Sequence, residues 1–167
     1  MFSRFLAGCA AASALVLWGC GQPAEQKPAA PALPLPPALS INVEMVSLVD
    51  HAAHALWDVE KEGHAPASDQ DWEETEHHAL QLEAAGTLIA LGGTGKADPG
   101  WVKSPDWIMF ARRLTDVATQ EASAAHAKNL EALVKANGAL VDVCEGCHKE
   151  FKPELPTEGV VHPHYRK

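Results

Sequence analysis

The run Cys144-Glu145-Gly146-Cys147-His148 sets two thiols three residues apart, with an imidazole directly behind the second. On a helix that spacing brings the two sulfurs to one side, about a turn apart, where both can bond to one flat molecule. The histidine behind them can then reach a metal at the centre of that molecule. Cys-x-x-Cys-His is a recognised attachment signature for c-type haem. Each thiol adds across one vinyl group of the porphyrin, and the histidine ligates the iron. Two other chemistries use paired cysteines. A thioredoxin-like redox pair needs a strand running into a helix start, whereas this pair lies near a helix end. A zinc site needs a fourth ligand, which His162 or His164 could supply.

The remaining cysteines bear on that choice. The chain has four, and Cys9 and Cys20 both fall in the opening segment. Residues 1–19 carry one early positive charge, Arg4, and then an apolar stretch from Leu6 to Trp18. This is the pattern of a secretory leader, too short for an ordinary membrane-spanning helix. It closes on Leu17-Trp18-Gly19-Cys20, which resembles a bacterial lipoprotein signal. That resemblance implies cleavage before Cys20, lipidation of its thiol, and a protein held on the periplasmic side of a membrane. A soluble periplasmic protein is the alternative. Leu6-Ala7-Gly8-Cys9 matches the same pattern but leaves no room for an apolar core before it. Cys144 and Cys147 are then left without a disulfide partner elsewhere in the chain, although export implies an oxidising compartment.

Residues 20–38 form a tether. Six prolines among many alanines, with almost no apolar periodicity, give a segment that cannot bury enough surface to fold. Residues 39–152 make one small domain, and 153–167 an extended tail.

Apolar spacing within the domain predicts helices over about 41–60, 69–91, 104–125 and 129–151, and no strand. Gly92-Gly93-Thr94-Gly95 breaks the second from the third, Ser104-Pro105 opens the third, and Pro153 stops the last. In the last helix Leu130, Leu133, Val134, Leu140, Val141, Cys144, His148 and Phe151 share a broad side. Asn137 interrupts that side and, with Gly138 behind it, marks a place for a kink. In the first, Met45, Leu48, Val49, Ala52, Leu56 and Val59 share a side without interruption. Amphipathic helices on mostly short links predict an all-α fold, an antiparallel four-helix bundle with the haem near the C-terminal end of the last helix.

Cys144-Glu145-Gly146-Cys147-His148-Lys149-Glu150-Phe151 at the end of a four-helix domain resembles the class II c-type cytochromes, a group that includes cytochrome c prime and the low-spin cytochromes c556. The resemblance implies one covalently bound haem c on Cys144 and Cys147, with His148 as proximal ligand. It also implies a sixth position governed by the first helix, where a methionine supplies the ligand in the cytochromes c556. Met45 resembles that residue. On a regular helical wheel Met45 points with the apolar side, His54 lies about 180° away, and His51 falls on the flank. Were the register off by a turn, Val49 or Leu48 would cover an open distal face.

Two functions correspond to the two states of that position. Ligation by Met45 makes a periplasmic single-electron carrier, since a thioether ligand raises the reduction potential. An empty position makes a five-coordinate protein that binds nitric oxide or carbon monoxide. No acid–base group accompanies the motif, so no enzyme is expected. The net charge of −9, or −10 once Arg4 leaves with the leader (12 basic against 22 acidic groups), disfavours nucleic acid and direct adhesion to anionic lipid. It favours redox partner proteins with basic surfaces, and the family resemblance leaves pairing into a homodimer open. Trp57, Trp72, Trp101 and Trp107 are expected to pack around the site or between helices, and His77, His78 and His126 to be exposed.

Overall fold

A computed structural model describes Pro37 and residues 39–154. Cys20, the leader, most of the tether and the tail histidines lie outside the described residues. Within them the chain is all-α, with no strand.

Among the described helices, three begin where a side chain satisfies one of the first free amides. α1 (Ile41–Glu44) starts at Ser40, whose hydroxyl accepts from the Val43 amide at 3.3 Å. It runs into a wide π-helical turn, Met45–Val49, and continues as α2 (Asp50–Asp58). α3 (Asp69–Leu91) opens on a reciprocal box: Ser68 accepts from the Asp71 amide at 3.1 Å, and the Asp71 carboxylate accepts from the Ser68 amide at 2.8 Å. It ends at Gly92, whose φ of 97° belongs to glycine. After the short α4 (Asp98–Trp101), α5 (Pro105–His126) has proline at its first position. Ser104 precedes it as expected, yet its side chain makes no capping hydrogen bond. α6 (Leu130–Phe151) is capped by Asn129, which accepts from the Ala132 amide at 3.0 Å, and stops just short of Pro153.

The closest packing joins α3 to α5, through Ala79, Leu82, Ala85 and Ile89 on one side and Ala111, Leu114 and Ala118 on the other. Small residues let these backbones approach. A Cβ at Gly86 would lie 3.0 Å from the Ala111 carbonyl oxygen and closer still to the Thr115 hydroxyl. The first helical stretch packs mainly on α3, and α6 mainly on α5.

Two expectations need correction. The first stretch is interrupted. The Asp50 amide reaches back five residues to the Met45 carbonyl instead of four, which adds one residue to that turn. Each added residue rotates the segment before it by about 100° relative to the rest of the helix. Ile41, Glu44, Val49, Ala52, Ala53 and Leu56 therefore hold the buried places, and Met45 lies on their margin, half-buried against the core. In α6 the opposite holds: the helix passes through Asn137 and Gly138 unbroken. Its deeply buried side is Leu133, Ala136, Asn137, Leu140, Val143 and Cys147, and Leu130, Val134 and Val141 lie at its exposed edge.

Candidate functional site

Cys144, Cys147 and His148 occupy the last two turns of α6. Cys147 is buried, and Cys144 and His148 are half-buried. Both thiols are free. Burial holds them protonated. It is the main cause pushing Cys144 up to about 12, aided by the nearby charges of Cys147, Glu121 and Asp50, and pushing Cys147 up to about 11, aided by Glu150. A reactive redox pair needs the reverse, a thiol depressed at a helix N-terminus or beside a cation. Position and charge both disfavour the thioredoxin-like reading. Burial also lowers the His148 pKa, helped by Lys152 and opposed by Asp50. The imidazole is therefore neutral at pH 7, with one ring nitrogen free to act as a metal ligand.

Gly146, between the cysteines, faces α5. A Cβ there would stand 2.9 Å from Cε1 and 3.3 Å from Cζ of Phe110. Glycine thus lets the motif lie close against the Phe110 ring. Below it Phe110 and Trp107 both meet Phe151 edge-on, at 6.4 and 5.1 Å, and Trp101 stacks on Trp107 at 5.0 Å. The Trp107 indole donates to the Ile89 carbonyl at 2.9 Å, which ties this cluster to α3. Trp101 and Trp107 therefore pack beneath the motif, whereas Trp57 is half-buried on α2, edge-on to His54 at 5.4 Å.

The level of the first helical stretch relative to the motif is fixed by a buried hydrogen bond. The Asn137 side chain, fully enclosed in α6, donates to the Leu56 carbonyl and to Glu60 Oε1, each at 2.9 Å. Nearer the other end, Asp50 acts on Cys144 and His148. Progress along α6 from 137 to 148 thus matches regress from 56 towards 50, so this pair of helices runs antiparallel. Eleven residues separate Asn137 from His148, and eleven separate Leu56 from Met45. Met45 and His148 thus lie the same number of residues from the Asn137 bond, Met45 across the wide turn.

Several polar groups line the interior here. Glu121, on α5, is fully buried, and neither carboxylate oxygen has a hydrogen-bond partner among the described residues. Burial alone raises its pKa to about 8. The Trp57 indole N–H is likewise buried without an acceptor among the described residues. Sequence reasoning missed Glu121, because a glutamate in an alanine-rich helix reads as solvated.

The other candidates are spread around the surface. His51 is exposed, with its ring edge-on to His78 at 5.6 Å. His54 is half-buried, its Nδ1 donating to the Asp50 carbonyl at 2.9 Å. His78 is half-buried against His51, contrary to the expectation of full exposure, while His77 and His126 are exposed. Val49 is buried and Leu48 half-buried. Lys149 pairs with Glu145 at 2.8 Å, and Lys152 with Glu154 at 3.0 Å while lying over the Trp101 ring. Among the described residues no three histidines, cysteines or carboxylates converge into a metal-holding group, so no closed zinc cage forms there. No described helix is long and apolar enough to cross a membrane.

Compared with family models, curated proteins and solved structures, the chain gives no match in any of the three.

Proposed function

We propose that the chain is a monohaem, class II-like c-type cytochrome that carries single electrons. In this reading the helices form an antiparallel four-helix bundle, Cys144 and Cys147 hold the haem, and His148 and Met45 ligate its iron. The observation that carries it is the arrangement on α6: two free, neutral thiols one turn apart, then a half-buried neutral imidazole.

The donor set suits the group. Each thiol forms a thioether by adding its S–H across a vinyl C=C, so no leaving group or oxidant is needed. The His148 ring is neutral and supplies a nitrogen lone pair, and Met45 supplies a thioether sulfur. The unpartnered polar groups of Glu121 and Trp57 mark a buried interior that the described residues leave incompletely satisfied. When bound, the haem supplies one-electron exchange. The chain's own work is to hold both ligands in place, to exclude water through the aromatic layer under α6, and to tune the potential through ligand type and burial. Lipidation at Cys20, a swinging proline-rich tether and basic redox partners on the periplasmic side complete the proposal.

Absorption spectra of the haem-loaded domain, with and without carbon monoxide, test it. The expected ferric spectrum is low-spin with a thioether-to-iron band, lost in Met45→Ala. A high-spin spectrum that changes at once on adding carbon monoxide would replace the carrier with a gas-binding protein. Failure to attach haem covalently during expression with the maturation machinery would end the reading altogether.

A further inference from the structure

The wide turn at Met45–Val49 sits between two fixed points. At its start the Asp98 carboxylate, itself buried, accepts from the Ile41 amide at 3.0 Å and the Gly95 amide at 2.7 Å, while the Thr94 amide donates to the Leu39 carbonyl at 2.9 Å. At its far side Asn137 holds the Leu56 carbonyl. A π turn is rare and persists where its surroundings over-determine it. In the turn itself Gln81, half-buried on α3, donates its side-chain amide to the Leu48 carbonyl at 3.1 Å. That bond rewards an outward tilt of the carbonyl, which a regular α turn would direct along the helix axis to its own amide.

We propose that Gln81 is a positioning residue for Met45: by bonding the Leu48 carbonyl it holds the wide turn, and the wide turn sets the direction in which Met45 points. The inference rests on the haem reading above. Without the extra residue in the turn, Met45 would swing by about 100° around the helix relative to α2. Gln81 would thus govern sixth-position ligation without approaching the iron itself.

The test uses the haem-loaded protein and reads spin state and carbon monoxide binding in wild type, Gln81→Leu, Gln81→Asn, Met45→Ala and the Met45→Ala/Gln81→Leu double variant. Gln81→Leu keeps the size and removes the donor. Gln81→Asn keeps the amide and shortens its reach, and it is read in the same way if Gln81→Leu fails to load haem. Expected are a partial shift to high spin and a roughly fivefold tighter apparent affinity for carbon monoxide in the Gln81 variants, the size of one net hydrogen bond. The double variant should match Met45→Ala alone, because Gln81 acts only through Met45. Wild-type spectra in the Gln81 variants, together with a high-spin Met45→Ala, would overturn the role of Gln81 and leave the haem reading standing. A Met45→Ala protein that stays low-spin would remove Met45 as ligand, and the Gln81 proposal with it.

Discussion

The side-chain amide of Asn137 and the main-chain carbonyl of Leu56 meet at 2.9 Å inside the protein, and this bond sets the register of α6 against the first helical stretch. The same amide also donates to Glu60, so one nitrogen holds two groups of α2 and the residues just beyond it. Its level fixes which residues of the first stretch lie opposite the cysteine motif.

Replacement of Asn137 by leucine should therefore act at a distance. The Leu56 carbonyl would lose its buried donor, at a cost of about 1–3 kcal/mol. Urea denaturation of Asn137→Leu should show that loss. The haem-loaded variant should in addition show a mixed spin state, because the level of Met45 is no longer tied to His148. An unaltered spectrum alongside reduced stability would confine Asn137 to a structural role.

Glu121 gives the fold an unusual dependence on pH. Its folded pKa is raised to about 8 by burial, above the 4.5 of the free side chain. The folded state therefore holds this proton more tightly than the unfolded state. The stabilising contribution is complete below about pH 4.5 and is lost as pH rises through about 8. At about 1.4 kcal/mol per pH unit, the loss amounts to a few kcal/mol. Glu44, also raised by burial, adds in the same direction, while the lowered values of His78 and His148 weaken the fold as pH falls below their ordinary value. Denaturation of wild type and Glu121→Gln at pH 5, 7 and 9 isolates the carboxyl. The difference between them should grow with pH in favour of the glutamine, and a constant difference would show that Glu121 does not titrate in this range.

Gly146→Ala tests the contact beneath the motif. The added methyl would press on the Phe110 ring at 2.9 Å, and that ring is itself buried between α5 and Phe151. Either α6 lifts or the ring turns, at about 1–3 kcal/mol. Combining it with Phe110→Leu should recover most of the stability, measured by thermal melting. No recovery would mean that the glycine matters for some reason other than the ring.

Local chemistry made much of this legible in the sequence. Pro105, the glycines from Gly92 and Pro153 mark helix limits through backbone preferences and clashes that act within a few residues, so those limits could be read one after another along the chain. Cys144, Cys147 and His148 are contiguous for the same reason. Features that depend on a partner distant in sequence escaped. The wide turn at Met45 breaks the constant 100° step on which any helical wheel relies, and its external partner, Gln81, lies 33 residues away. Asn137 was visible as a polar interruption, but its acceptors, 81 and 77 residues back, were not, and where a kink had a place the helix runs on unbroken and anchored. Asp98 and Glu121 look like surface acids until the fold encloses them. Asp98 is enclosed with two amide donors, and Glu121 with no partner among the described residues.

The absence of a side chain at Gly86 reaches further than the contact it permits. α3 and α5 lie so close there that they act as one beam, from which the first stretch hangs on one side and α6 on the other. The placing of the first stretch and of α6 thus depends on a pair of helices that carry neither Met45 nor His148. A methyl group added at Gly86, which touches nothing in the motif, would spread that beam and shift the two segments that pack on it.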